Sequence, residues 1–346
     1  MFDLQRRGGV MLAPLHSLRR RSVPFALDRM LIRKAIGQSS LLFAALAIAL
    51  FAFGWVRVWV VTLLDMQQFQ NVLEQFRDYE KFAPISFDAL FTYSGRVGMT
   101  FDEPIVILCT VIWCIARGSD VVSGELGRGT MEMLLSQPIS RAQFLMSHAL
   151  VSVVGLLLLC LTLWAGMAVG IEVTTLTETI PPPSVRVPFT SLVIPLSDEA
   201  PQQITVPLSD RVDALAYAAA TFHLFSFGFF LLGLSTLFSS IDRYRWRTIG
   251  GVMTVYVVQL VMYGLGKAAE SLRFLQGLTF FNCYKPQKMT AMVNEGGASA
   301  PWNWTQPISD GWLPPLVYPL ILLCLGMICY AIAMRTFRRR DLPAPL

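Results

Sequence analysis

Between Arg141 and Glu172 the chain reads AQFLMSHALVSVVGLLLLCLTLWAGMAVGI, residues 142–171, without one charged side chain. A helix rises about 1.5 Å per residue, so this run exceeds the roughly 20 residues needed to cross a ~30 Å hydrocarbon layer. A core helix in a soluble protein has no need of so long an uncharged stretch. Four further runs, 35–56, 214–238, 248–266 and 311–334, are also free of charge and long enough to cross, or nearly cross, a bilayer. Composition agrees: of 346 residues, 54% are hydrophobic and only 15% charged. A soluble chain of this length would make one or two ordinary domains, but this pattern excludes that class.

Net charge is +5, and its placement says more than its sum. Arg19, Arg20 and Arg21 precede the first apolar run. Arg243, Arg245 and Arg247 lie between the second and third of the runs that follow it, and Arg335, Arg338, Arg339 and Arg340 close the last. Counting six spans puts all three clusters on one side, which the positive-inside rule makes cytoplasmic. The arginines abut hydrophobic spans, so topology and anionic lipid contact account for them better than nucleic-acid binding. The expectation is an all-α integral membrane protein with six transmembrane helices, near 36–60, 102–120, 142–169, 214–238, 248–266 and 313–334. Both termini would be cytoplasmic. External loops would cover 62–101, 171–213 and 267–312.

The second span has the weakest support. Only 13 uncharged residues separate Glu103 from Arg117, too few to cross at about 1.5 Å each. Charge topology requires the span nonetheless, with Arg117 near a wet end, either as a membrane-edge anchor or in a functional role. Residues 1–20 read as a basic lead; more than 30 residues and several arginines precede the first apolar run and many apolar runs follow it, which fits a signal peptide poorly. Residues 21–34 place Val23, Leu27, Met30 and Leu31 on one helical face, which fits an interfacial helix or an extension of span one. In the loop 171–213 short β-prone runs are broken by prolines, leaving a small hairpin-like cap or an irregular loop. Leu272 to Phe281 is apolar enough to lie against the bilayer or dip into it. Trp302, Trp304 and Trp312 fit an interface belt.

The six cysteines show no disulfide or metal spacing, and no paired carboxylates or Ser/His/Asp grouping stands out. His148 and His223 are expected to be hydrogen-bonded packing residues, with proton or substrate contact as the alternative. Gln259 is expected to bond between helices. The nearest approach to the phosphate-binding GxxxxGK[ST] is Gly264-Leu265-Gly266-Lys267-Ala268, which lacks the first glycine and the final hydroxyl residue. No nucleotide hydrolysis is expected of this chain.

Between spans two and three stands Glu125-x-x-x-Gly129-Thr130-x-x-x-Leu134-Leu135-Ser136-x-Pro138-x-Ser140-Arg141, and the C-terminus reads FRRRDLPAP from Phe337. With the six-span layout these resemble the ABC-2 type permeases, the membrane subunits of bacterial ATP-binding cassette transporters. The resemblance implies a cytoplasmic coupling helix in the segment 125–141, with Gly129 to Leu135 meeting a separate ABC ATPase and Glu125 and Arg141 flanking the contact. It also implies ATP and Mg held by that partner, a second permease copy (homo- or heterodimer), and residence in the bacterial inner membrane. The residues agree: Thr130 can cap a short helix whose Met131, Leu134 and Leu135 form an apolar side, and Pro138 can end it. Without the resemblance the same stretch reads as an ordinary structured loop. The resemblance points to an ATP-driven exporter. The alternative is a membrane subunit that passes force to an external or envelope partner at loops 62–101 and 171–213.

Overall fold

The computed structural model describes residues 29–63, 75–76, 92–136, 139–180, 184–186, 193–195, 202–305, 307 and 313–340. Within them, six helical stretches are long and apolar enough to span a membrane. Helix α1 is Arg29–Leu63. The second stretch, Tyr93–Gly127, is built around helix α2, Pro104–Ser119. A five-residue helix α3, Met131–Leu135, follows. Next come α4 (Arg141–Val173), α5 (Ala218–Ile241), α6 (Arg245–Ala268), α7 (Pro286–Gly296) and α8 (Val317–Arg339). The fold is all-α apart from two antiparallel ribbons after α4.

The second span succeeds despite its short uncharged core because its charges are inside protein. Arg117, Asp120 and Glu125 are all buried, so the helix does not need a lipid-compatible surface there. Of its most apolar window 72% is buried, against 22% for α1 and 11% for α6. Arg117 therefore packs within the bundle and is not a membrane-edge anchor. At the other end of the span, Glu103 pairs with Arg57 of α1 at 3.1 Å.

Packing between α1 and α4 is set by glycine. A Cβ on Gly166 would lie 2.3 Å from the Phe51 carbonyl oxygen, and one on Gly54 would lie 2.9 Å from that of Leu163. Small residues let two backbones approach closely where no hydrophobic effect drives helices together. Arg29–Lys34 are the first turns of α1 itself, while the rest of the 21–34 segment lies outside the described residues.

After α4, β1 (Thr175–Ile180) pairs with β4 (Gln202–Pro207), and β2 (Ser184–Arg186) with β3 (Val193–Pro195). Pro207 and Pro195 are strand-terminal, where the missing N–H is tolerated. Between α6 and α8 the chain folds back on the bundle. Phe274 and Leu278 are exposed, whereas Phe280 and Phe281 are buried, with Phe281 5.3 Å from the Tyr256 ring and Phe280 5.0 Å from that of Phe230. The Tyr284 hydroxyl donates to the Phe101 carbonyl at 2.7 Å. In front of α5, the Tyr217 hydroxyl donates to the Ser94 carbonyl at 3.0 Å, and Ser94 in turn donates to Asn294 of α7. Trp302 and Trp304 are exposed; Trp312 lies outside the described residues. All six cysteines are free.

Candidate functional site

The segment that follows α2 is shaped by four local features. First, α2 widens into a π turn over Asp120–Gly124. Ser239 of α5 causes this by inserting its hydroxyl into the backbone ladder. Its Oγ accepts from the amides of Val122 (3.1 Å) and Ser123 (2.9 Å) and donates to the Ser119 carbonyl (3.0 Å). Such insertions account for local helix widening and are frequent at functional positions.

Second, the helical run ends at Gly129, whose φ is +70°. The Thr130 amide bonds to the Glu125 carbonyl at 3.2 Å and the Gly129 amide to that of Leu126 at 3.1 Å. These are the paired bonds of a Schellman ending, and the left-handed residue that closes it is most often glycine. Third, α3 starts as the Leu134 amide reaches the Thr130 carbonyl at 3.1 Å. Fourth, α4 opens with a capping box: Ser140 Oγ accepts from the Gln143 amide at 3.1 Å and Gln143 Oε1 from the Ser140 amide at 2.9 Å.

Glu125 is the electrostatic centre, with its side chain fully buried. Its carboxylate accepts from Lys34 Nζ of α1 at 2.9 and 3.0 Å, from an Arg128 nitrogen at 2.9 Å, and from the Thr130 hydroxyl. Arg128 also reaches Asp120 at 2.7 Å. That hydrogen bond holds the guanidinium above its usual pKa, so its charge is secure. Arg245, at the start of α6, joins Asp120 at 3.3 Å and donates to the Ala116 carbonyl at 3.2 Å. A buried carboxylate is tolerated when it is paired and hydrogen-bonded on all sides, and removing a partner is costly. Arg117 lies in the same region with Nε and one terminal nitrogen unbonded.

The apolar side of α3 faces its own chain. Met131 and Leu134 are buried with Leu31 of α1, Val121 and Val122 of the π turn, Phe144 and Leu145 of α4, and Phe337 of α8. Met133 points outward, 66% exposed. Leu135 belongs to α3, but its side chain and the whole of Pro138 lie outside the described residues. Arg141 lies with its guanidinium 5.8 Å from the Phe337 ring centre and donates to the carbonyls of Phe337 (3.0 Å) and Arg340 (2.5 Å). Arg340 then donates to the carbonyls of Ser240 (3.1 Å) and Asp242 (3.0 Å). These arginines satisfy helix-end carbonyls that have no partner within their own helices. The two sequence motifs, separated by almost two hundred residues, thus touch one another.

The chain matches the family described as ABC-2 family transporter protein over residues 32–342, and it belongs to that family. It is a multi-pass membrane permease of this class. No curated protein matches it in sequence.

The remaining sequence candidates stand apart from this site or contribute only packing. His148 packs on Phe144, ring centres 4.8 Å apart, and neither of its ring nitrogens is hydrogen-bonded; the same holds for both nitrogens of His223. The expectation of hydrogen-bonded histidines is therefore corrected: both are buried packing residues with no hydrogen-bond partner among the described residues. Gln259 does not bridge two spans. Its Oε1 accepts the Phe280 amide at 3.3 Å and holds down the fold-back segment. Among the described residues no group of three or more His, Cys, Asp or Glu could hold a metal. Sequence reasoning missed Lys34, Asp120 and Arg245 as partners of the loop. Lys34 lies 91 residues from Glu125, and no local pattern links the two.

Proposed function

We propose that this chain is the permease subunit of an ATP-driven exporter and that the 125–141 segment is its coupling element, gripped by a separate ABC ATPase that binds ATP and Mg. The observation that carries this reading is the way the segment is fastened. Glu125 ties it to α1 through Lys34, Arg128 ties it through Asp120 to Arg245 of α6, and Met131 and Leu134 seat it on α4 and α8. A displacement of one short loop is therefore passed to four other spans at once. A five-residue helix has little stability of its own, so its rigidity comes from these anchors. Within the segment, Met131, Leu134 and Arg141 hold the element in place, while Met133 and the flanking surface meet the ATPase. Glu125, Gly129 and Thr130 fix the turn that presents it.

In this reading the Arg-rich end is cytoplasmic, as the positive-inside rule requires, the membrane is the bacterial inner membrane, and two permease copies make the working unit. The weakly buried faces of α1 and α6 are available to lipid and to that second copy.

The test is purification of the full chain with its companion proteins. Met133→Asp should release the ATPase while the permease stays inserted and folded, and Met133→Leu should keep it. Retention of the ATPase by Met133→Asp at wild-type levels would reject the contact. Leu134→Asp cannot serve, because it places a charge in the cluster around Phe144 and Phe337 and disturbs the fold first.

A further inference from the structure

The end of the bundle away from Glu125 holds a cavity of about 410 Å³, lined by the start of the second span, the last turns of α6 and the fold-back segment. That volume is within the usual range for small-ligand sites. Its chemistry is divided. Lys267, Lys285 and Lys288 line it with a single carboxylate, Asp102, so the group carries an excess of two positive charges. Lys267 is placed by the Tyr263 ring, 5.3 Å from its centre, and Lys285 by the Tyr318 ring at 4.4 Å. Among the described residues Lys267 and Asp102 form no ion pair with one another. Gln287, 2% exposed, lies against Asp102 with neither amide atom in a hydrogen bond of normal geometry.

The other wall is apolar, formed by Ile107, Phe281 and Leu260. Leu260 continues onto an exposed stripe of α6 through Val257, Val261 and Leu265. Positions three and four apart share one helix face, so the cavity opens onto a continuous apolar track at the lipid-facing side of α6.

We propose that this cavity binds the headgroup of an anionic amphiphile, a phosphate-bearing lipid with hydroxyl groups on its head, whose tail lies along the α6 track. Lysine ammonium groups are compact charges suited to phosphate. Asp102 and Gln287 accept from the head's hydroxyls, which the phosphate alone does not supply. Lys267, which belongs to the incomplete phosphate-loop pattern in the sequence, meets phosphate in this site through a different structure. The site stands independently of the coupling reading, since it shares no residue with the 125–141 segment.

Native mass spectrometry on the purified full chain in neutral maltoside micelles tests this. The probes are dilauroyl phosphatidylglycerol, dilauroyl phosphatidylcholine and glycerol phosphate. Saturable binding of the phosphatidylglycerol is expected, at least tenfold tighter than the other two. The double variant Lys267→Gln/Lys288→Gln should lose at least tenfold, while Arg273→Gln, outside the cavity, should lose nothing. Equal binding of phosphatidylcholine, equal binding of glycerol phosphate, or full retention by the double variant would each overturn the proposal. Should the double variant not fold, lysine acetylation of the wild-type chain gives the same answer. Phosphatidylglycerol should slow modification of Lys267 at least threefold, and an unchanged rate would overturn the proposal.

Discussion

The Glu125–Lys34 pair offers the sharpest energetic test, because one ammonium group joins the loop to the first span across 91 residues of chain. Glu125→Gln keeps shape and one acceptor oxygen but leaves Lys34 without its counter-charge and Arg128 with Asp120 alone. Removing one partner of a buried pair costs about 3–5 kcal/mol; since Lys34 and Arg128 can rehydrate, the lower end, about 3 kcal/mol, applies. The side-chain exposures behind that choice are 31% for Lys34 and 39% for Arg128. Lys34→Ala leaves Glu125 still bonded to Arg128 and Thr130, so the two charge-assisted hydrogen bonds of one half-exposed ammonium are lost, together about 2 kcal/mol. If the pair interacts directly, the double variant should cost about 3.5 kcal/mol, below the sum, with a coupling energy of about 1.5 kcal/mol, roughly tenfold in the folding equilibrium. The assay is denaturant unfolding in mixed micelles of the wild type, both single variants and the double. A double-variant cost equal to the sum, within about 0.5 kcal/mol, would refute the direct link between loop and α1.

Other outcomes follow from the backbone of the same segment. Gly129→Ala forces a Cβ into φ +70° and should cost about 1–2 kcal/mol, whereas Gly129→Asn should cost less than half of that, read by the same unfolding assay. Equal costs would mean that the left-handed turn is not what the position requires. Ser239→Ala removes the hydroxyl that serves the Val122 and Ser123 amides, leaving buried donors unbonded at about 1–3 kcal/mol. Amide hydrogen exchange should accelerate at Val122 and Ser123 first, and unchanged protection there would reject Ser239 as the cause of the π turn.

How much of this was legible in the sequence depended on whether a segment answers to lipid or to its neighbours. The runs behind α4, α5, α6 and α8 must satisfy lipid, so uncharged length alone reveals them. The second span must satisfy protein. Its Arg117, Asp120 and Glu125 are buried by other helices, and no count of apolar residues detects that. In the loop, the spacing of Glu125 and Gly129 was visible. The reason for Gly129 was not visible until the Schellman bonds placed it in the left-handed region. The apolar pattern of Met131 and Leu134 was equally plain, yet a pattern names a face without naming the surface it meets. That surface includes Phe144 and Phe337, which only the closed fold brings together. Lys34 is one of eight Lys and Arg before the first apolar run, with nothing local to set it apart. Its bond to Glu125 is purely tertiary.

The central claim is that the loop's exposed side meets an ATPase, and site-specific photo-crosslinking tests it most directly. A photoreactive amino acid at Met133, exposed on α3, is compared with one at Leu325, exposed on the apolar surface of α8. With the full chain in its native membrane, position 133 should yield an adduct with a nucleotide-binding protein, and position 325 none. A nucleotide-binding protein that co-purifies with the chain yet forms no adduct at 133, or the absence of any such protein, would contradict the account.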